Sequence, residues 1–328
     1  MIRSLYFAPN GKLTLDLNQE QWTAALAEPE GLLWVDFQNT PPISDEVLLR
    51  QVFNFHPLAI DDALEESHTP KVDDWGNYIY VVLQAVVFIP HESARLKTQE
   101  LDVFLGENYL ITHHDEEISA LERVWNSVQR DERHLHSGAD HLLYRLVDEL
   151  VASYMPVVEE MDDAIDLIED EVLNNATPNV LERIFALKRA VLALRRIIGP
   201  EREVLNKLAR DDYPVIDAQD RIYFRDVYDH LVRLLDIIES TRDLIGGVLD
   251  IYLSVINNRM NDIMKTLTVI TTLFMPLTFI VGFFGMNFFI PRYPQEWWVE
   301  SKVFMITLGL MFMIPVVMIL YMKRKKWL

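Results

Sequence analysis

Cysteine is absent from the 328-residue chain. Its absence excludes disulfide bonds, thiolate metal sites and cysteine nucleophiles, although it leaves the cellular compartment open. The sequence also lacks the HExxH, P-loop and nucleophile-elbow patterns, so no residues are available for hydrolysis or for ATP-driven pumping. We therefore expect a protein that is not an enzyme and does not use ATP.

Basic residues are fewer than acidic residues outside the C-terminal part, 23 against 48. The chain holds 30 Lys or Arg against 50 Asp or Glu, a net charge of −20. Residues 263–328 contain seven basic and two acidic residues, which leaves −25 on residues 1–262. The electric field of this negative charge disfavours nucleic acid and anionic lipid as partners and favours cations. For most individual carboxylates, a role in solubility is the simpler explanation.

Charge is missing altogether from residues 266–287 and 303–322. At about 1.5 Å per residue, each stretch can cross the roughly 30 Å hydrocarbon layer of a membrane as a helix. The alternative is a pair of buried core helices, but soluble cores seldom need uncharged runs of this length. The sequence therefore predicts an integral membrane protein with two C-terminal spans.

The orientation follows from the basic cluster at residues 323–326, which the positive-inside rule assigns to the cytoplasm. Two spans then place the large N-terminal part in the cytoplasm too. The first 16 residues contain no apolar core of signal-peptide length, so export of this part is not predicted. We expect a multi-pass protein of the cell (inner) membrane with both termini cytoplasmic.

The first 115 residues mix strands with short helices. Strands are predicted at residues 34–37 and 78–89 and as a hairpin around 106–108, and helices at 44–55 and 56–64. The pattern predicts an α+β domain with a mixed sheet, whose strand order stays open.

The remainder of the cytoplasmic part is predicted to be helical. Apolar residues recur along one helix face from Leu146 to Val172, and a second helix begins with Thr177 as its cap and Pro178 at its first position. Proline is then absent from Val215 to Met275, so one helix is predicted over 219–287, about 100 Å long. One subunit cannot bury such a helix, which predicts a homo-oligomeric bundle of stalks that continue into the first span.

These patterns divide the chain into seven segments. They are an N-terminal α/β cytoplasmic domain (1–115), a helical hairpin region (116–215), a stalk helix (216–265), a pore-lining first transmembrane helix (266–287), an external loop (288–302), a second transmembrane helix (303–322) and a basic cytoplasmic tail (323–328).

A stripe of mostly small, polar or sulfur-bearing residues runs along the stalk and the first span at three- and four-residue spacing. It comprises Asp250, Ser254, Asn257, Asn261, Met264, Leu267 or Thr268, Thr271, Met275, Thr278 and Gly282. A polar stripe on a spanning helix faces other helices or a water-filled cavity. A single threonine can simply hold helices together, but the continuation of the stripe to Asp250 favours a pore lining.

The stripe contains no carboxylate within the span, so it is not suited to stripping an ion of all its water. Mg²⁺ releases water reluctantly, and a ring of amide and hydroxyl oxygens can hold a hydrated ion weakly enough to let it leave. Asn287, at the mouth of the span, suits such a ring, and its alternative role is a helix C-cap. The residues favour a pathway for a divalent cation.

Several motifs together resemble the CorA family of magnesium and cobalt channels. They are the stretch MKTLTVITTLFMPLTFIVGFFGMNF with its Gly-Met-Asn motif, a second span followed by the ending KRKKWL, and the cytoplasmic segments HPLAIDDALEESHTPKV and YFRDVYDH. The resemblance covers nearly the whole chain. It implies a homopentameric funnel, in which the stalk and first span of each subunit line the conduction path.

The resemblance also implies roles for individual residues of the path. It makes Gly285, Met286 and Asn287 the outer selectivity filter for hydrated Mg²⁺, and it makes Met264 and Leu267 the hydrophobic constriction. It further implies polar rings at Asn261 and Thr278 and an acidic ring at Asp250.

Regulation is implied at a cytoplasmic site between neighbouring subunits, formed by Asp61 and Asp62 of one subunit and Asp226 of the next. Clustered carboxylates repel one another unless a cation lies between them, so loss of intracellular Mg²⁺ would loosen the subunit interface. Without the resemblance, a solvated acidic surface is the simpler interpretation of Asp61 and Asp62.

The predicted function is Mg²⁺ uptake through a channel, driven by the membrane potential at about 4.6 kcal/mol per 100 mV for a divalent ion. Co²⁺ and Ni²⁺ are secondary substrates in this prediction. One alternative is a zinc transporter of the same superfamily, although that branch tends to carry Val where Met286 stands. The other is a membrane-anchored cation sensor that conducts nothing, which would have no use for the polar stripe.

Overall fold

The computed structural model describes residues 1–64, 69–89, 94–285 and 301–325. The chain divides into two compact units, Met1–Asp250 and Ile251–Leu328. The first unit contains a β-sheet and most of the helices. The second contains the C-terminal part of one long helix and the last helix of the chain.

Seven strands form one mixed sheet in the first unit. They are β1 (Ile2–Phe7), β2 (Leu13–Leu15), β3 (Leu32–Gln38), β4 (Lys71–Asp74), β5 (Tyr78–Ile89), β6 (Arg95–Gly106) and β7 (Tyr109–His114). Their order is β2-β1-β3-β7-β6-β5-β4, and only the β3–β7 pair is parallel. The predicted strands at 34–37 and 78–89 and the hairpin around 106–108 are confirmed as β3, β5 and the β6–β7 pair.

Helices cover both faces of this sheet. Alternation along β3 directs Leu33, Val35 and Phe37 to the core beneath α1 (Gln19–Leu26), α2 (Pro42–Gln51) and α3 (Pro57–Leu64). The opposite face carries α4 (Ser119–Arg130) and α5 (Ala139–Ala152), where the rings of Trp34 and Trp125 lie 4.6 Å apart. The α+β prediction is therefore confirmed, and α3 matches the helix predicted at 56–64.

One sequence-based expectation for the next helices is wrong. The helix predicted through 146–172 is interrupted at Ser153, between α5 and α6 (Tyr154–Asn175). Pro156 has no N–H for the carbonyl of Ala152, and the Ser153 hydroxyl donates to the carbonyl oxygen of Leu150 at 2.6 Å. The prediction for the following helix is confirmed, since Thr177 is the N-cap residue of α7 (Pro178–Arg210) and Pro178 is its first residue, although the Thr177 side chain makes no capping hydrogen bond.

The longest helix in the described residues, α8 (Arg221–Gly285), has 65 residues and runs without interruption through most of the predicted range 219–287, whose last two residues lie outside the described ones. Its first half packs in the first unit through residues buried at three- and four-residue spacing, among them Phe224, Val227, Leu231 and Leu234. The last helix is α9 (Ser301–Arg324). Both α8 and α9 contain 18-residue windows of mean hydropathy 1.9 and 2.3, so both are long and apolar enough to cross a membrane.

Candidate ion-conduction site

The predicted polar stripe lies on the exposed surface of α8. Every member that the sequence assigned to the pore is exposed in the single chain, namely Asp250, Asn261, Met264, Leu267, Thr271, Met275, Thr278 and Gly282. Met264 and Leu267 are each 56% exposed. Since a single helix cannot enclose a path, these side chains are available to line one only beside other helices.

The opposite side of the same helical segment is partly covered. Six residues there are only partly exposed: Val269, Thr272, Leu273, Pro276, Leu277 and Ile280. At 3.6 residues per turn, the centre of this covered face lies across the helix axis from the stripe. Large apolar side chains such as Ile270 and Phe274 are exposed on a flank between the two faces. The segment thus has a polar, an apolar and a covered surface.

Threonine hydroxyls along this segment donate their hydrogens to the helix backbone, which leaves only the acceptor lone pairs of their oxygens for other groups. Thr271 donates its hydroxyl hydrogen to the carbonyl oxygen of Leu267 at 2.9 Å, and Thr278 donates to that of Phe274 at 2.9 Å. Thr266 and Thr268 make the same bond four residues back. Because each hydroxyl hydrogen is engaged, the outward side of each oxygen presents lone pairs. Such oxygens complement the water hydrogens that surround a hydrated cation.

The predicted selectivity filter is only partly within the described residues. Gly285 is the last residue of α8, and its backbone is helical and exposed. Met286 and Asn287 lie outside the described residues, so the filter remains a prediction from the sequence.

The predicted regulatory carboxylates lie on two helices. Asp61 and Asp62 are in α3, where Asp61 is exposed and the side chain of Asp62 is 35% exposed. Asp226 is near the start of α8, with a side chain 68% exposed and Oδ2 at 3.8 Å from Nε2 of His230. Within the described residues, no group of three or more Asp, Glu or His side chains could hold a metal ion. That part of a single chain does not assemble a complete metal site.

Lys71 contacts one of the predicted regulatory carboxylates, a contact that the sequence did not predict. It begins β4, and its ammonium group forms ion pairs with Asp62 and with Asp73, the latter at 3.0 Å. Burial lowers the pKa of Lys71, but hydrogen bonds and charge from the two carboxylates outweigh burial and raise it. The only sequence signal was a single lysine nine residues after Asp62, which does not reveal the contact.

Comparisons with known proteins give consistent results. A protein-family model described as "CorA-like Mg2+ transporter protein" matches residues 29–324. The chain is 38% identical over 282 residues to the cobalt/magnesium transport protein CorA of Thermotoga maritima, covering 85% of this chain and 78% of that protein. It is 25% identical over 264 residues to the zinc transport protein ZntB of Yersinia enterocolitica, covering 80% and 79%.

The solved structure of the CorA magnesium transporter from Methanocaldococcus jannaschii has the same fold. It matches with a TM-score of 0.84 and 23% identity, over 100% of this chain and 99% of that one. The mixed sheet and the long helix that ends in an apolar segment are therefore features of a known transporter fold. With a family match over nearly the whole chain, the protein is a membrane transporter and not an enzyme, and it belongs to the CorA family of divalent metal ion transporters.

Proposed function

We propose that this protein is a channel for hydrated Mg²⁺ that works without ATP and is driven by the membrane potential. The observation that carries the proposal is the exposed stripe of α8, in which acceptor oxygens lie opposite the partly covered face. A hydrated divalent ion presents water hydrogens, and these match acceptors that carry no charge. Weak binding of this kind permits rapid release, as conduction requires.

The path would be completed by several copies of the chain. One α8 helix leaves its polar stripe exposed, and a ring of such helices would turn the stripes inward to a shared axis. The resemblance to the CorA family implies five copies, so we propose a homopentamer embedded in the membrane. The acidic cytoplasmic part would concentrate cations, and nucleic acid is not a partner.

Each level of the path has a proposed role. Gly285, Met286 and Asn287 form the outer selectivity filter, Thr278 and Asn261 form polar rings, and Asp250 forms an acidic ring. Thr271, Met275 and Gly282 line the space between these levels. Met264 and Leu267 form a hydrophobic constriction that closes by excluding water.

The channel is gated by intracellular Mg²⁺ in this proposal. Asp61 and Asp62 of one subunit and Asp226 of the next would share a bound ion, which holds neighbouring cytoplasmic domains together in the closed state. The exposure of Asp61 and Asp226 in the single chain supports a site completed by a second subunit.

We propose the cell (inner) membrane as the location, with both termini in the cytoplasm and residues 288–302 outside. The basic cluster at 323–326 supports this orientation. Transport of Co²⁺ is supported by the name of the Thermotoga relative, a cobalt/magnesium transport protein. Ni²⁺ is proposed as a further substrate because its hydrated ion is similar in size.

The proposal is tested by Mg²⁺ uptake into liposomes that contain the purified full chain. Asn287→Ala should abolish selective uptake, because it removes the proposed ring of amide oxygens. Asn258→Ala is the matched control, since Asn258 is an exposed asparagine of α8 on the side away from the stripe. Mg²⁺ uptake that survives in Asn287→Ala would contradict the filter role.

Zinc transport is the second candidate, and the similarity to ZntB favours it. Uptake of Zn²⁺ without Mg²⁺ in the same liposomes would establish it over the first. Uptake of neither ion, from correctly assembled protein, would instead favour a sensor that conducts nothing.

Gating is tested with Asp62→Ala combined with Asp226→Ala. The double variant should take up Mg²⁺ at internal concentrations that close the wild-type channel, because the proposed bridging ion would lose two ligands. Asp236→Ala, at another exposed aspartate of α8, controls for the loss of acidic charge. Inhibition identical to that of the wild type would refute the proposed regulatory site.

A further inference from the structure

The ammonium group of Lys71 lies among three partners. It contacts the Asp62 carboxylate, lies 3.0 Å from Oδ2 of Asp73 and sits 5.3 Å from the centre of the Tyr80 ring. The side chains of Lys71, Asp62 and Asp73 are 31%, 35% and 43% exposed. Water and dissolved ions can therefore reach the cluster, while the lysine already neutralises one carboxylate of the proposed regulatory site.

We infer that Lys71 is a tethered counter-ion that occupies Asp62 when no metal is bound, and that it sets the Mg²⁺ concentration at which the channel closes. The inference rests on the proposed regulatory role of Asp62. A divalent ion that binds Asp62 competes with the ammonium group for the negative charge of the same carboxylate, because two cations close together repel each other strongly.

Asp73 and Tyr80 give the displaced ammonium group a second position. Asp73 is two residues after Lys71 on β4, so its carboxylate stays within reach when the contact with Asp62 is broken. The Tyr80 ring interacts with the cation through its π-electrons in the same region. Lys71 can therefore exchange between Asp62 and Asp73 without entering an apolar environment.

The strength of the Lys71–Asp62 pair suits a displaceable group. Ion pairs at this exposure are weak, because water screens the charges and ordering a long side chain has an entropy cost. Tethering nevertheless keeps the ammonium group at a high effective concentration beside Asp62. Mg²⁺ carries twice the charge and is proposed to reach Asp226 of the next subunit as well, so it can displace the lysine. Because the lysine is tethered beside Asp62, displacement occurs only above a threshold Mg²⁺ concentration.

Two substitutions of Lys71 distinguish a direct contact with Asp62 from a general effect of positive charge. Lys71→Gln removes the competing cation and should lower the internal Mg²⁺ concentration for half-maximal inhibition by about fivefold. Lys71→Arg keeps the charge but offers two parallel N–H donors to Asp62, and it should raise that concentration. Uptake is measured in liposomes with the full chain at a series of internal Mg²⁺ concentrations.

The matched control is Lys97→Gln, because Lys97 forms a comparable exposed ion pair with Glu116 in the same unit. It should leave the threshold unchanged. If the Mg²⁺ threshold falls in Lys71→Gln but is unchanged in Lys71→Arg, the effect is one of long-range charge, and the proposed role of the direct contact with Asp62 is refuted. An equal shift in Lys97→Gln would overturn the inference in the same way.

Asp62→Ala distinguishes failure of this inference from failure of the proposed function. If Asp62→Ala relieves inhibition and Lys71→Gln leaves the threshold unchanged, the regulatory site stands and the counter-ion role is refuted. If neither variant changes inhibition, the regulatory site itself is refuted, and the inference with it. We expect Lys71→Gln to lower the Mg²⁺ threshold, and we expect this shift to disappear when Lys71→Gln is combined with Asp62→Ala.

Discussion

Glu201 of α7 accepts a hydrogen bond from the backbone amide of Gln84 at 3.0 Å. At Gln84 the neighbouring strand has ended, because the register places Lys71, the first residue of β4, opposite Val82. The Tyr154 hydroxyl of α6 lies within hydrogen-bond distance of both the Gln84 carbonyl oxygen and the Glu201 carboxylate. The side chains of Glu201 and Tyr154 thus supply the hydrogen-bond partners that the backbone of Gln84 lacks beyond the end of β4.

This arrangement predicts a pH dependence of stability. Burial raises the pKa of Glu201 to about 7, although hydrogen bonds from Gln84 and Tyr154 act to lower it. Since the folded-state pKa is above the ordinary 4.5, the protonated carboxyl group favours the folded state. Its contribution is complete below pH 4.5 and is lost as the pH rises through 7, a fall of about 3 kcal/mol in the free energy of unfolding.

Glu201→Gln should remove this fall, because the amide stays neutral over the whole range. The measurement is denaturant-induced unfolding of the detergent-solubilised full chain between pH 4.5 and 8. Glu203→Gln is the matched control, since Glu203 lies on the same helix with a side chain 57% exposed. If Glu201→Gln retained the wild-type fall, the role of the buried carboxyl group would be refuted.

His113 provides a second prediction, with its effect at higher pH. Its buried ring lies between two carboxylates, with Nε2 at 3.5 Å from Asp45 and Nδ1 at 3.9 Å from Asp102. Burial lowers the pKa of His113, but the two nearby carboxylates outweigh burial and raise it to about 9. The charged ring therefore stabilises the fold fully below its ordinary pKa of 6.5, and this contribution is lost as the pH rises through 9.

His113→Gln should lower the free energy of unfolding by about 3 kcal/mol at neutral pH, because two buried carboxylates lose their counter-ion. The difference from the wild type should shrink as the pH rises through 9. Unfolding midpoints of the solubilised chain over this range measure both effects, with His134→Gln as a control at a less buried histidine. A difference that stayed constant with pH would show that packing, and not charge, explains the loss.

The sequence predicted the elements whose signal is local and long. β5 has twelve largely apolar residues, and α8 keeps its period without an interrupting proline through the stalk. β2 and β4 were not predicted, since β2 has three residues and β4 reads Lys-Val-Asp-Asp, which has no apolar alternation. Such strands form because a longer neighbour supplies their hydrogen-bond partners, and no short window of sequence records that neighbour.

The same distinction applies to the candidate site. The stripe from Asp250 to Gly282 was predicted because one helix carries all of it, so spacing alone places its members on one face. The contact between Lys71 and Asp62 joins a strand and a helix, and the network of Glu201 joins segments 117 residues apart. Contacts of that kind depend on tertiary packing, which periodicity does not encode.

The acceptor role of the threonine hydroxyls can be tested at Thr278. Thr278→Val preserves the shape of the side chain but removes the oxygen, so Mg²⁺ uptake should fall on the order of tenfold, the effect of one good hydrogen bond. Thr278→Ser should retain uptake, and Thr272→Val is the control on the partly covered face. Equal uptake by Thr278→Val and the wild type in liposomes would exclude this hydroxyl from the path.

The proposed constriction gives a prediction of opposite sign. Leu267 is 56% exposed on the stripe of α8, and an apolar ring at this level would exclude water from a narrow path. Leu267→Asn should keep water in the ring, so Mg²⁺ uptake should persist at the internal Mg²⁺ concentrations at which the proposed gating would close the wild type. Leu267→Ile keeps the ring apolar and should close normally.

These two variants separate wetting from damage to the protein. A misassembled channel would lose uptake at low internal Mg²⁺, whereas the constriction predicts normal uptake there and a defect only in closure. Asp62 and Asp226 are intact in Leu267→Asn, so a defect in closure would arise in the proposed path and not at the proposed regulatory site. If Leu267→Asn closed like the wild type, the barrier to ions would have to lie at another level of α8.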